Sequence, residues 1–215
     1  MIDWSKIETV LLDMDGTLLD KHYDDYFWEE YVPEIYAKQN CLNADEAGKK
    51  LLAIYKAKEG TLDWTDLDYW SEQLDLDIPA LKVKVDHLIQ IHPYVVDFLK
   101  FLSKASKRVF LVTNAHSKTL DIKMNKTALN GYFDRVICAA EVGLPKEDAA
   151  FWPGLQKIIP FSRQTTMLAE DTEKILHSAR TYGIEHLIYV ARPSSTKATK
   201  KSSSFKSIIY FNELM

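Results

Sequence analysis

Cysteine is scarce in this sequence: Cys41 and Cys138 are the only two among 215 residues. Two cysteines cannot build the disulfide framework of a small secreted domain, and no C-x-x-C pair is present for metal or redox work. No stretch approaches the ~18 consecutive apolar residues of a membrane span. The opening residues MIDWSKIETV lack the basic start and long apolar run of a signal peptide. A basic excess is missing too. Lys and Arg number 27 against 31 Asp and Glu, for a net charge of −4 and a sequence pI near 5.9. Nucleic-acid binders usually carry a clearly basic balance. These absences predict a cytoplasmic protein with reduced thiols and no membrane or nucleic-acid partner. A small anionic substrate stays open, because local charge decides that.

What is present is ordinary globular composition, 47% hydrophobic and 27% charged, with length for one domain plus an inserted unit. Thr9-Val10-Leu11-Leu12 is a short apolar run that stops abruptly at Asp13-Met14-Asp15-Gly16-Thr17. A buried strand of a parallel sheet reads this way, with a polar loop after it. Further strands are predicted at Arg108 to Val112, Val136 to Cys138, Thr166 to Leu168 and His186 to Val190. Helical patterns lie between them. One starts with Pro93 in its first turn, one runs from Ser117 to Leu129 with Gly131 as its stop, and one runs from Ile175 to Tyr182 before Gly183. Strands alternating with helices imply a doubly wound parallel sheet of five to six strands.

Residues 20–91 differ, with many aromatics at helical spacing and almost no strand signal. Asn43 with Glu46 three residues on predicts a capping box opening a helix through Tyr55, and further helices are expected at Leu67 to Leu74 and Pro79 to Ile89. The expected organisation is α/β, a core of residues 1–19 and 92–215 with an all-helical cap at 20–91. The Ser/Lys-rich stretch from Ser194 to Ser204 is a surface loop.

Open α/β sheets carry their chemistry beyond the carboxyl ends of the strands. There the sequence sets Asp13 and Asp15, Thr113 and Asn114, Lys146, and Glu170 and Asp171. Two carboxylates ~4 Å apart repel by ~4 kcal/mol at an effective dielectric near 20, so four acids in one crevice need a cation. Hard oxygen ligands suit Mg²⁺. The metal and Lys146 would draw in a phosphoryl group, and a neutralised phosphate can be attacked by a carboxylate. A second acid can protonate the leaving oxygen and then activate water.

The motifs Asp13-Met14-Asp15-Gly16-Thr17, Thr113-Asn114, Lys146 and Glu170-Asp171, in that order, resemble the haloacid dehalogenase-like hydrolase superfamily over nearly the whole chain. The resemblance implies a Rossmann-like core, Asp13 as nucleophile and metal ligand, and Asp15 as acid/base with its backbone carbonyl on Mg²⁺. It implies Thr113, Asn114 and Lys146 on phosphate, Glu170 and Asp171 on the metal, and the helical block as a substrate-selecting cap. The segments DDYFWEEYVP (Asp24 to Pro33), LDYWSEQL (Leu67 to Leu74), TNAH (Thr113 to His116) and PKED (Pro145 to Asp148) look like the bacterial GMP/IMP nucleotidase branch. A purine nucleoside monophosphate is then the expected substrate. The fourth motif departs from that branch, with Glu170 where two aspartates are the pattern.

Other readings stand beside this one. A sugar-phosphate phosphatase or phosphomutase would use the same acids. Halide displacement needs no metal and leaves Asp15, Glu170 and Asp171 without a task. A receiver-like phosphorylation switch also uses acids, a Thr and a Lys on a doubly wound sheet, but carries its acidic pair on the first strand and its phosphorylated Asp on a later one. The aromatics Tyr26, Phe27, Trp28, Tyr69 and Trp70 read mainly as core, with base stacking as the alternative use.

Overall fold

The first strand, β1 (Thr9–Leu12), is buried on every residue, as a central parallel strand must be. In the computed structural model, which describes residues 2–215, it lies inside a six-stranded sheet. After β1 the chain enters helices α1 (His22–Tyr26), α2 (Val32–Gln39), α3 (Ala44–Lys56), α4 (Leu67–Leu74) and α5 (Ile78–Lys84). Then follow α6 (Val95–Lys104), β2 (Arg108–Thr113), α7 (Ser117–Thr127), β3 (Arg135–Cys138), α8 (Ala139–Val142) and α9 (Phe151–Ile158). The chain closes with β4 (Thr166–Glu170), α10 (Glu173–Tyr182), β5 (His186–Val190) and β6 (Lys206–Ile208).

The strand order is β3-β2-β1-β4-β5-β6, with every neighbouring pair parallel. The chain winds outward from β1 in one direction, then from β4 in the other. The crevice beyond the ends of β1 and β4 is therefore the topological switch point, where open sheets of this kind bind ligands. Alternation along the strands feeds two cores. Val10, Leu12, Leu111 and Ala169 pack with Phe98 and Leu102 of α6. Leu11, Val112 and Leu168 pack on the other face with Trp152 and Leu155 of α9 and Leu176 of α10.

The segment between Asp20 and Ile91 is helical apart from its connections. Asn43 and Glu46 form the reciprocal capping box of α3, and Asp66 caps α4 through the amides of Asp68 and Tyr69. Between α1 and α2, residues Phe27–Tyr31 widen into a π-turn without breaking the helix. Trp28, Tyr55, Trp64 and Trp70 pack edge to face or tilted around Tyr55 and Trp70 at 5.1–6.1 Å. The segment leaves and rejoins the sheet side by side: Asp20 N–H donates to Gln90 O, and His92 N–H to Leu18 O, both at 2.9 Å.

Several local expectations are corrected. Pro93 is not in a first helical turn. His92 to Val95 is a tight turn, with Val95 N–H donating to His92 O and Tyr94 at φ 66°. Proline followed by a positive φ is the type II pattern, so α6 starts after it. Ala128 at φ 55°, not Gly131, stops α7. The helix after Asp77 ends at Lys84, and a separate 3-10 turn at Asp86–Leu88 returns the chain to the sheet.

Candidate active site

Asp13 directly follows β1 and continues its ladder, its N–H donating to Ala169 O at 3.1 Å. Lys146 arrives from the loop between α8 and α9 and is fully buried. Its Nζ lies 2.5 Å from Asp13 Oδ1 and 2.7 Å from Glu170 Oε2, and it also donates to Val112 O. Burial raises the Asp13 carboxyl above its ordinary value, and nearby Asp171 adds to this against the pull of Lys146. Burial and the Asp13 charge drive Glu170 well up. Burial works against the Lys146 charge, yet Asp13 and Glu170 outweigh it and hold the ammonium.

Glu170 Oε1 accepts from the amides of Asp171 and Thr172 at the start of α10. Both its oxygens are thus engaged. Asp171 is less committed: Oδ1 accepts the Thr172 hydroxyl at 3.2 Å, and Oδ2 lies 3.5 Å from Lys21 Nζ. Asp13 Oδ2 is buried with no hydrogen-bond partner among the described residues. Carboxylate oxygens of Asp13, Glu170 and Asp171 lie within 4.8 Å of one another. A set of hard oxygen donors, one of them orphaned and buried, fits Mg²⁺.

Thr113 is buried at the end of β2. Its Oγ1 accepts from Ala115 N–H at 3.0 Å, so the hydroxyl proton remains available to donate. Asn114 is used internally: its amide donates to Glu147, and its Oδ1 accepts from Lys146 N–H. It ties the loop that carries Lys146 to the end of β2.

The Asp15 side chain does not join the other three acids. Its Oδ1 pairs with Lys123 Nζ, and burial, with Asp24 and Asp13 adding, lifts its carboxyl to about 6 against the pull of Lys123. Lys123 also holds Asp24, which holds Lys82. This ladder carries no sequence signal, because α7 reads polar on most of its surface. A second group of potential ligands, Asp66, Asp68 and His116, is already employed in capping α4 and pairing with Lys118.

A cavity of about 490 Å³ joins the strand ends to the helical segment. Asp13, Asp15, Thr113, Lys146 and Asp171 lie on its floor side, and Trp28, Tyr55 and Trp64 line it from the helices. Of the aromatics singled out in the sequence, Trp28 reaches this cavity, while Phe27 and Trp70 are fully buried in the core. Tyr55, expected only as a member of the helix after Asn43, and Trp64, for which the sequence carries no signal, also line the cavity.

A family model described as haloacid dehalogenase-like hydrolase matches residues 7–154. The GMP/IMP nucleotidase YrfG of Escherichia coli (strain K12) is 35% identical over 214 residues, covering 100% of this chain and 96% of the relative. The protein of the same name from Shigella flexneri matches equally. Among solved structures, a HAD phosphatase from Thermococcus onnurineus superposes with TM-score 0.82 at 20% identity, covering 97% of this chain and 96% of that one. The L-2-haloacid dehalogenase of Xanthobacter autotrophicus follows the same fold with TM-score 0.62 at 13% identity, over 97% and 96% of the two chains. The fold is thus shared by enzymes of different chemistry, and the reaction must be argued from the site.

Proposed function

The chain belongs to the haloacid dehalogenase-like hydrolase family, and on that premise we propose that it is a Mg²⁺-dependent phosphomonoesterase that forms an aspartyl-phosphate on Asp13. GMP and IMP are the proposed substrates, by similarity to the curated nucleotidases. The observation that carries the reading is Asp13 itself, with Oδ1 fixed by Lys146 and Oδ2 buried without a donor. A buried carboxylate oxygen left unpaired is expensive, and an electrophile in the crevice would relieve it.

Asp13 attacks phosphorus in line, and the bond to the ester oxygen breaks as the new acyl-phosphate bond forms. Asp15, held near neutral pH as a partly protonated carboxyl, gives its proton to the leaving oxygen. As a carboxylate it then takes a proton from water, which attacks phosphorus and releases phosphate and Asp13. Thr113 donates its hydroxyl to a phosphoryl oxygen, and Lys146 balances the charge of Asp13 and the phosphoryl group. Asp13 and Asp171, the Asp15 backbone carbonyl and Glu170 through water are the groups that would hold Mg²⁺, which supplies charge neutralisation at the phosphoryl oxygens. The helices of residues 20–91 act as the cap, and Trp28, Tyr55 and Trp64 supply an apolar wall for a purine.

The test is phosphate release from GMP, IMP, AMP, UMP and several sugar phosphates, with Mg²⁺ and with chelator, beside Asp13→Asn. Rapid Mg²⁺-dependent release from GMP and IMP, lost in the variant, is expected. Release confined to sugar phosphates would retain the chemistry and overturn the nucleotide assignment.

A further inference from the structure

Asp15 is the first member of a ladder of buried and half-buried charges whose other three members, Lys123, Asp24 and Lys82, have no part in the mechanism above. Lys123 Nζ lies 2.5 Å from Asp15 Oδ1 and 2.5 Å from Asp24 Oδ2. Asp24 Oδ1 in turn accepts from Lys82 Nζ at 2.8 Å. Lys82 Nζ sits 4.7 Å from the Tyr23 ring centre and 4.6 Å from that of Phe27, faces that favour a cation. Lys82 and Lys123 are each only 1% exposed. Asp15 and Lys123 belong to the sheet side, whereas Asp24 and Lys82 belong to the helical segment.

Stability alone gives little reason for such a ladder. Buried ion pairs recover their desolvation cost poorly, and apolar replacements of similar volume are often neutral or stabilising. What the ladder does is geometric. It takes one named oxygen of the acid two residues beyond the nucleophile and fixes it with a cation that is separate from Lys146 and its Asp13 and Glu170 partners. Among the described residues Lys123 is the one cation paired with Asp15, and the Asp15 Oδ2 atom takes no part in that pair.

We propose that Lys123 is a positioning residue for Asp15, anchoring Oδ1 so that Oδ2 meets the leaving-group oxygen, with Asp24 and Lys82 holding Lys123 in place. The proposal rests on the phosphomonoesterase reading. Its consequence is selective. An alkoxide leaving group such as a ribose 5′-oxygen needs the acid, whereas p-nitrophenolate departs without a proton. kcat/KM reports steps up to leaving-group departure, so a misplaced acid lowers it for GMP and spares it for p-nitrophenyl phosphate.

The experiment compares kcat/KM for GMP and p-nitrophenyl phosphate in the wild type, Lys123→Met, Lys123→Arg and Asp24→Asn, all with Mg²⁺. Lys123→Met is expected to lower the GMP value by ~10²-fold, the lower end of what a general acid contributes, and the aryl value by less than about a tenth of that loss. Lys123→Arg is expected to restore part of the difference. An equal loss on both esters, or none, overturns the proposal. If Lys123→Met does not fold, Asp24→Asn carries the same comparison: a selective loss on GMP supports the role, and a uniform change overturns it. Wild type that cleaves neither ester would instead defeat the phosphomonoesterase reading.

Discussion

Gly16 packs against the side chain of Asp171. A Cβ built on Gly16 would stand 2.8 Å from Asp171 Cγ and 2.9 Å from Pro193 Cβ, and the residue holds φ +88°. The glycine after Asp15 thus lets the first loop pass against the acid that follows β4. Gly16→Ala both strains the backbone and pushes Asp171 aside. It is expected to cost about 1–3 kcal/mol of stability and to abolish most phosphate release. A melting curve and a GMP assay of the variant check this, and wild-type values for both would sink the account.

The acids around Lys146 predict a stabilising metal. Burial raises Asp13 and Glu170 above their ordinary values, so keeping both charged costs folding energy at neutral pH, and a bound cation offsets that cost. Saturating Mg²⁺ near 100 times its Kd should add about 2.7 kcal/mol, a rise of several degrees in Tm for a chain of this size. Asp171→Asn should remove most of the rise while leaving the metal-free Tm unchanged or higher. Differential scanning with and without MgCl₂ is the measurement, and an identical rise in the variant would count against Asp171 as a ligand.

Strands were legible in the sequence where a short apolar run is bounded by polar or turn residues, as Thr9 to Leu12 is by Asp13 and Thr166 to Leu168 by Glu170 and Asp171. β1 and β5 occur where Thr9 to Leu12 and His186 to Val190 indicated. β6 was not legible as a strand: it is three residues long, follows a Ser/Lys-rich stretch, and exists because β5 offers an edge. Within the helical segment, α3 was legible through the Asn43 and Glu46 pair and α4 through the pattern of Leu67 to Leu74, while the Asp66 cap of α4 emerged only in the structure. The π-turn at Phe27–Tyr31 left no trace in composition. Lys123 was equally invisible, since a lysine on a polar helix reads as solvated until the fold seals it between Asp15 and Asp24.

His92 sits where the helical segment rejoins the sheet. Its Nε2–H donates to Pro193 O at 3.2 Å, the proton being on Nε2 because a carbonyl only accepts. Burial lowers its pKa below the ordinary 6.5, with Asp20 opposing. A histidine depressed on folding binds protons better when unfolded. Its penalty is absent above pH 6.5 and grows as pH falls toward the folded value. Between pH 7.5 and 5.5 the wild-type Tm should therefore drop more than that of His92→Gln. Parallel slopes would show that His92 does not titrate on unfolding.

The cavity wall that the helical segment contributes is aromatic. Trp28 is partly exposed where it lines the cavity, and its ring is braced edge-on by Phe27 at 4.9 Å and by Tyr55 at 5.7 Å. Tyr55 brings to the same wall a buried hydroxyl with no partner among the described residues. A rigid aromatic beside an unsatisfied polar group suits a heterocycle that stacks and hydrogen-bonds. Stacking of one base on an aromatic ring contributes about 1–3 kcal/mol. Trp28→Ala should thus raise KM for GMP roughly 5- to 150-fold while moving KM for ribose 5-phosphate, which has no base, by less than about threefold. Tyr55→Phe removes only the hydroxyl and should act more gently and in the same direction. If Trp28 serves only to pack the helices, both substrates will suffer alike, Tm will fall with them, and the purine must bind elsewhere in the cavity.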